Sequence, residues 1–220
     1  HKVDYLGVAF ADEGIALKNA GITIPIMVLN PESTSFEAII HYNLEPEIYS
    51  IKGLKSFIKT AEHKKVHQYP IHIKLDTGMH RLGFQENDLP NLIELIASCE
   101  NIKVKSILSH MATSDSMEHN DFSFSQIHLF DKLSSKLKIA LNSNPIRHIL
   151  NTSGISNFPE AQFDMVRLGI GLYGISNDED EQKYLENVGT LKSIISQIRT
   201  IQAGESVGYG RRFMADVATK

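Results

Sequence analysis

The segment YPIHIKLDTGMHRLGF (69–84) joins a short apolar run to a cluster of charged and turn-forming residues at its carboxyl end. Further runs rich in Val, Ile and Leu follow the same rhythm, and stretches with helical spacing separate most of them. Such alternation predicts a parallel sheet with helical crossovers. The predicted strands are VDYLGVAF (3–10), PIMVLN (25–30), EPEIYS (45–50), YPIHIKLD (69–76), IKVKSILSH (102–110), IRHILNTS (146–153) and MVRLGIGLYG (165–174).

This rhythm suits either a (β/α)8 barrel that lacks one strand or an open doubly wound sheet. Polar residues at the carboxyl ends of separate strands favour the barrel, where these ends form one ring around an active site. We therefore expect an incomplete α/β barrel over 1–176, a linker over 177–186 and the start of a β-rich domain over 187–220. The polar residues at strand ends are Asp76, His110, Asn151, Thr152, Ser153 and Arg167.

Composition limits the classes of partner. The net charge of −4 and pI of about 6.2 argue against nucleic acid as the main partner, because a phosphate-binding surface needs clustered positive charge. We expect no membrane association, because no apolar run is long enough to span a bilayer. One cysteine, Cys99, permits no disulfide framework, which suits the cytoplasm. The chain opens on strand-like sequence without Met, so we expect an internal fragment.

The strand that opens this segment carries Lys74 close to its end. A lysine inside a buried strand is costly unless its charge is paired or removed. Asp76 and Arg81 are close enough in sequence to share a site with it. The alternative is a solvated lysine at a strand end, followed by a simple turn.

Two other patterns resemble known binding motifs. The glycines of GIGLYG (169–174) match the dinucleotide spacing G-x-G-x-x-G, but an acidic loop follows them instead of a helix. His63 and His67 have the spacing of a helical metal pair but lack an evident third ligand. We expect neither a nucleotide site nor a metal site.

Five motifs, in order along the chain, resemble those of the alanine racemase family. They cover essentially the whole sequence, and together they are far more specific than any one alone. The resemblance implies a (β/α)8 barrel that binds pyridoxal 5'-phosphate (PLP) and interconverts L- and D-alanine for peptidoglycan synthesis. The motifs are KLDTGMHRLGF (74–84), SHMAT (109–113), HILNTS (148–153), MVRLGI (165–170) and GYG (208–210).

The resemblance also implies catalytic roles. Lys74 would be carbamylated, and the resulting anion would hold Arg81, which helps to seat the substrate carboxylate. His110 would belong to a network that runs toward the pyridine ring. Tyr209 would be a catalytic acid/base that reaches the active site of a partner subunit, which implies a head-to-tail homodimer.

The cofactor-binding roles follow in the same way. The resemblance implies that Arg167 hydrogen-bonds the pyridine nitrogen, and an arginine cannot supply a proton there. His148 would pack near the cofactor beside Asn151, and the hydroxyl of Thr152 or Ser153 would contact the phosphate. The backbone N–H groups of Gly169 and Ile170 would also bind the phosphate.

Alternatives remain at this point. A non-catalytic PLP-binding barrel would lack the β-rich tail that carries Tyr209. A decarboxylase of this fold type would bring an acidic residue to the pyridine nitrogen, whereas this sequence has Arg167. A racemase for serine or another small amino acid, and fusion to another cell-wall enzyme, stay open. The family's PLP-binding lysine has no counterpart here, so we expect the chain alone to be inactive.

Overall fold

A computed structural model describes residues 3–220 and divides the chain into two compact units between Glu186 and Asn187. The first unit contains a six-stranded parallel sheet. Its strands are β1 (Leu6–Val8), β2 (Ile26–Val28), β3 (Glu45–Ile48), β4 (Tyr69–Lys74), β5 (Ile102–Leu108) and β6 (Ile146–His148).

The order of the strands decides between the two predicted architectures. Each strand pairs with the next one along the chain, in the order β1-β2-β3-β4-β5-β6. A doubly wound sheet reverses its order at a switch point, whereas a barrel adds each strand beside the last. The six strands therefore form a parallel half-barrel, which confirms the prediction of an α/β barrel fold.

Helices cross over between successive strands. In α3 (Ile51–His63), for example, the Ser50 hydroxyl accepts a hydrogen bond of 3.1 Å from the Gly53 amide, which satisfies a free N–H at the first turn. Leu54, Phe57 and Ala61 recur every three or four residues and are buried. The helices of this unit are α1 (Ala11–Asn19), α2 (Phe36–His41), α3 (Ile51–His63), α4 (Leu89–Ala97), α5 (Asn120–Ala140), α6 (Thr152–Asn157) and α7 (Glu179–Gln182).

A bulge in β5 decides which face its side chains occupy. Ile71 pairs with Val104, but His72 pairs with Ser106, so Lys105 is an extra residue. Because side chains alternate between faces, one inserted residue changes the face of everything after it. The bulge therefore puts the Ser106 hydroxyl on the same face as His72, opposite the apolar face that packs under the helices.

The prediction of a seventh strand over 165–174 is wrong. The segment makes one backbone hydrogen bond to the chain after β6, from the Arg167 amide to the Leu150 carbonyl at 3.0 Å. The Gly169 amide donates to the Thr152 hydroxyl at 2.9 Å, and Ile170–Tyr173 forms a 3-10 helix. A strand needs a ladder of hydrogen bonds between backbone groups. Here the Thr152 hydroxyl accepts the hydrogen bond that a backbone carbonyl would accept in a strand. The predicted strand 146–153 is likewise shorter, because α6 begins at Thr152.

The second unit contains a two-stranded antiparallel sheet of β7 (Ser206–Val207) and β8 (Phe213–Met214). An isolated bridge between Ile201 and Thr219 extends this pairing. The segment 177–186, expected to be a linker, holds the short helix α7, where Glu181 accepts a hydrogen bond of 2.8 Å from the Ser156 hydroxyl. No helix within residues 3–220 is long and apolar enough to cross a lipid bilayer.

Candidate active site

A buried ion pair lies at the carboxyl ends of β3 and β4. Lys74 Nζ donates to Glu47 Oε1 at 2.9 Å, and both residues are buried. Sequence reasoning named Arg81 as the partner of a carbamylated Lys74. In the structure the Lys74 ammonium group is attracted to the Glu47 carboxylate, and the carbamylation of Lys74 and its pairing with Arg81 stay predictions. Arg81 lies in the following loop and is exposed.

The loop after Lys74 folds back onto its own strand. The Asp76 amide donates to the Phe84 carbonyl at 2.9 Å, and the Phe84 amide donates to the Lys74 carbonyl at 2.8 Å. This close return requires Gly83, which has φ +135° and where a Cβ would lie 2.5 Å from the Asp76 nitrogen. The loop therefore holds Arg81 at the same end of the sheet as Lys74, the end formed by the carboxyl ends of the strands.

Asp76 organises the turn inside this loop. Its Oδ1 accepts hydrogen bonds of 3.0 Å from the amides of Gly78 and His80, and its Oδ2 lies 2.9 Å from His80 Nδ1. Burial alone would raise the pKa of Asp76, but these hydrogen bonds outweigh burial and lower it. Asp76 therefore shapes the loop as a carboxylate.

Arg167 connects the ends of β5 and β6. Its Nη1 donates to His148 Nδ1 at 2.6 Å, and its Nη2 donates to the carbonyls of Ser109 at 2.6 Å and Ile149 at 3.0 Å. A weaker contact of 3.4 Å joins Nη2 to His110 Nδ1. Burial lowers the pKa of Arg167 to about 10, with Glu47 opposing this shift. The guanidinium is therefore still a cation at neutral pH, held in one orientation.

A chain of hydrogen bonds runs from Arg167 across the inner face of the sheet. The Ser106 hydroxyl lies 2.9 Å from His148 Nε2 and 2.6 Å from His72 Nδ1, and His72 Nε2 lies 2.8 Å from Glu45 Oε2. Arginine can only donate, so His148 Nδ1 accepts and His148 Nε2 carries the hydrogen. Ser106 then donates to His72, and His72 donates to Glu45. This relay, Arg167–His148–Ser106–His72–Glu45, fixes both histidines as Nε2–H tautomers.

The histidines of the site are held neutral. Burial lowers the pKa of His148 well below its ordinary value, with the Arg167 charge acting in the same direction. Burial also lowers the pKa of His72, although Glu45 opposes the shift. For His110, burial and the charges of Arg167, Arg81 and Lys74 lower the pKa to about 4. The three cations therefore act on one histidine.

The segment after β6 brings Thr152 against the glycines of 169–171. The Thr152 hydroxyl accepts from the amides of Gly169 at 2.9 Å and Gly171 at 3.3 Å. The Asn151 side chain caps α6 by accepting from the Gly154 amide at 3.0 Å, and Ser153 is half-buried in the first turn of that helix. Ile170 follows Gly169 and opens the 3-10 helix. The predicted phosphate-binding groups thus lie together beside Arg167.

Tyr209 lies in the second unit. It opens a 3-10 helix, Tyr209–Arg211, between β7 and β8, and its side chain is fully exposed. Its expected role as an acid/base in the active site of a second subunit stays a prediction.

Comparison with known proteins shows the family of the chain. Residues 1–177 match the family model described as alanine racemase, N-terminal domain. The chain belongs to the alanine racemase family. An alanine racemase of Clostridium novyi (strain NT) is 37% identical over 217 residues, which cover 96% of this chain and 55% of that protein.

Solved structures of the family share the fold. The alanine racemase of Clostridium difficile 630 superimposes with a TM-score of 0.78 at 31% identity, covering 99% of this chain and 57% of that one. The alanine racemase of a D-cycloserine-producing Streptomyces lavendulae superimposes with a TM-score of 0.85 at 25% identity, covering 99% and 58%. The chain thus spans a little over half the length of the alanine racemases it matches.

Sequence reasoning missed four polar residues that this alanine racemase family chain places inside the sheet: Glu45, Glu47, His72 and Ser106. A signal was available for three of them. Polar residues at alternate positions of an otherwise apolar strand share one face, and both Glu45 with Glu47 and His72 with Lys74 have this spacing. Ser106 could not be found in this way, because the bulge at Lys105 changes its face.

Proposed function

We propose that the protein containing this chain interconverts L- and D-alanine with PLP as its cofactor. The observation that carries the proposal is the fixed guanidinium of Arg167, bound to His148 and to two carbonyls at the carboxyl end of the parallel sheet. This is the position from which the family resemblance expects a donor to the pyridine nitrogen. Relatives named alanine racemase, at 37% and 36% identity, support the same activity.

The charges of the site fit such a cofactor. Lys74, Arg81 and Arg167 all act on His110, and Glu47 is the carboxylate that pairs with one of them. The excess of positive charge suits a phosphate and a substrate carboxylate. The hydroxyl of Thr152 or Ser153 and the Ile170 amide would hold the phosphate end, and the Gly169 amide would join them by exchanging its hydrogen bond to Thr152 for one to the phosphate. Asn151 would shape the turn that presents these groups.

When bound, PLP would withdraw the negative charge that forms when the alanine Cα loses its proton. Arg167 would donate a hydrogen bond to the ring nitrogen. With a pKa of about 10, Arg167 would keep its proton at neutral pH. That nitrogen would then stay unprotonated, so charge withdrawal would be moderate and return of a proton to Cα would be favoured. Arg81 would orient the substrate carboxylate, and His148 would keep Arg167 in place.

Racemisation needs a proton removed from one face of Cα and returned to the other. Two groups on opposite faces must therefore hold protons. We propose Tyr209 as one of them, contributed to the site by a second copy in a head-to-tail homodimer. The other would be the lysine that binds PLP in the family. An exposed tyrosine in a separate unit can reach a neighbouring molecule, which supports this arrangement.

Hybrid dimers test both the activity and the shared site. Arg167→Ala and Tyr209→Phe subunits are each expected to be inactive in L- to D-alanine conversion. If Tyr209 acts across the dimer, each hybrid has one intact site, and random mixing should restore about a quarter of wild-type activity. If both residues act within one subunit, mixing restores nothing, which would contradict the shared site. A wild-type protein that binds PLP but racemises no alanine would contradict the proposed activity.

A further inference from the structure

A buried glutamine of α5 holds the chain directly after β5. Gln126 is almost completely buried. Its Oε1 accepts a hydrogen bond of 2.9 Å from the Ala112 amide, and its Nε2 donates one of 3.2 Å to the His110 carbonyl. Because a backbone N–H can only donate and a carbonyl can only accept, these two partners fix which way the side-chain amide points. No expectation drawn from the sequence gives Gln126 a role.

The segment that Gln126 contacts has no regular secondary structure. Residues 109–116 form neither helix nor strand. Their backbone groups must therefore find partners outside a helix or a sheet ladder. Gln126 provides two such partners, and one turn earlier on the same helix the Ser123 hydroxyl lies 2.9 Å from the Thr113 hydroxyl. One face of α5 thus fixes the path of the chain that follows His110.

The same face of α5 lies against the loop that carries Arg81. A Cβ added to Gly78 would lie 2.9 Å from Phe122 Cζ and 3.4 Å from Gln126 Cγ. The turn of this loop therefore packs directly on α5. Gln126 contacts both segments that bring polar groups to the carboxyl end of the sheet, one through hydrogen bonds and the other through packing.

We propose that Gln126 is a positioning residue for His110, whose side-chain amide sets the direction in which the histidine ring faces Arg167. The proposal rests on the proposed function in one respect, because it takes His110 to belong to the active site. The hydrogen bond that the structure gives this ring within residues 3–220 is the weak contact of 3.4 Å to Arg167 Nη2. The ring therefore depends on its backbone for its orientation, and Gln126 binds the carbonyl of the same residue.

An amide suits this role because it carries a donor and an acceptor side by side. A protonated carboxylic acid has the same pair of groups, whereas a carboxylate has acceptors only. Gln126→Glu should therefore bind the His110 carbonyl while it is protonated and repel it once it is ionised. Burial raises the pKa of such a carboxyl and so extends the protonated range. Gln126→Met has a similar length and supplies neither group.

Steady-state kinetics of the full-length protein that contains this chain, loaded with PLP, tests the role. We expect Gln126→Met to lower kcat for alanine about 10- to 100-fold, since a misplacement of about 1 Å can cost that much. KM should change little, because His110 is not expected to bind the substrate carboxylate. Gln126→Glu should be more active than Gln126→Met at low pH and should lose this advantage as the pH rises.

Gln182 offers a matched control. Its Oε1 accepts from the Ser176 amide at 2.8 Å, and its Nε2 donates to the Gly174 carbonyl at 3.0 Å. It therefore makes the same pair of hydrogen bonds to the backbone, in a segment to which we assign no role in the site. Gln182→Met should leave kcat unchanged.

A second measurement reports on the ring itself and needs no activity. Burial, with the charge of Arg167 acting in the same direction, lowers the pKa of His110 to about 4. 15N NMR of labelled histidine follows this titration in the same proteins, with the signal assigned by its loss in His110→Gln. If the ring turns away in Gln126→Met, its pKa should rise toward the ordinary value of 6.5, and Gln182→Met should leave it unchanged.

Two results would overturn the proposal. One is a Gln126→Met protein that unfolds at lower urea concentration but keeps the wild-type kcat and the wild-type titration of His110, since Gln126 would then only stabilise the fold. The other is a Gln126→Glu protein that is no more active than Gln126→Met at low pH.

Gln126→Glu decides if Gln126→Met does not fold, because it keeps the acceptor for the Ala112 amide. Its activity relative to the wild type must then fall as the pH rises, and a constant or rising ratio would overturn the proposal. If the wild type converts no alanine, the proposed function fails, and the titration of His110 still tests this inference.

Discussion

Replacing Ser106 with alanine would remove the central hydroxyl of the relay and both of its hydrogen bonds. The hydroxyl donates to His72 Nδ1 at 2.6 Å and accepts from His148 Nε2 at 2.9 Å, and all three residues are completely buried. Removing it leaves one histidine with an unpaired acceptor and the other with an unpaired donor. Neither ring can turn to water, because the sheet covers both.

The magnitude follows from these two unpaired groups. Each buried polar group left without a partner costs about 1–3 kcal/mol. The variant should therefore lose about 2–6 kcal/mol of the free energy of unfolding, the upper end being reached if no water enters the vacated space. The Nε2–H tautomer of His148 should survive, since Arg167 still donates to its Nδ1. The Nε2–H tautomer of His72 should survive as well, since Nε2 still donates to Glu45, but its Nδ1 loses its hydrogen-bond donor.

Urea unfolding followed by circular dichroism measures the loss, and 15N NMR of labelled histidine reads the tautomers. Ser134→Ala is the matched control. Ser134 is equally buried, but both its hydrogen bonds are long: its hydroxyl donates to the Asp131 carbonyl at 3.3 Å and accepts from Arg147 Nη1 at 3.5 Å. It should cost less than about 1 kcal/mol. If Ser106→Ala is no more destabilising than Ser134→Ala, or if either histidine changes to the Nδ1–H tautomer, the reasoning behind the relay fails.

Two further predictions concern the carboxyl end of the sheet. Gly83→Ala should lower the free energy of unfolding by about 3 kcal/mol or more, because its Cβ would lie 2.5 Å from a backbone nitrogen. Gly21→Ala is the control, since Gly21 has φ +87° but open space around it, and it should cost only about 1–2 kcal/mol. Equal losses of stability in urea unfolding would contradict the tight loop at Gly83. Stability should also fall as the pH drops below the ordinary histidine pKa of 6.5. The unfolded chain then gains a proton that the folded His110, with its pKa lowered to about 4, does not take up. His110→Gln should reduce this slope between about pH 6.5 and 5, and an unchanged slope would show that His110 does not cause it.

Parts of the site were predictable because they depend on local sequence. His110 and Arg167 follow or end apolar runs, and in a parallel sheet such positions meet at one edge. The loop 74–84 carries its own turn signals in its glycines. The burial of Glu47 was not predicted, because a glutamate near a strand end is usually solvated. Only the pairing of β3 with β4 shows that Lys74 is its partner.

The sequence by itself determined the strands β1 to β6, the helical crossovers and the motifs at the strand ends, because apolar periodicity and turn residues act over a few positions of the chain. Only the tertiary structure decided the order of the strands, the bulge that turns Ser106 inward, and the loss of a strand at 165–174. It also decided the pairing of Lys74 with Glu47. These features depend on which residues from distant parts of the chain become neighbours once water is excluded. Burial then makes an unpaired charge or hydrogen-bonding group too costly to leave alone.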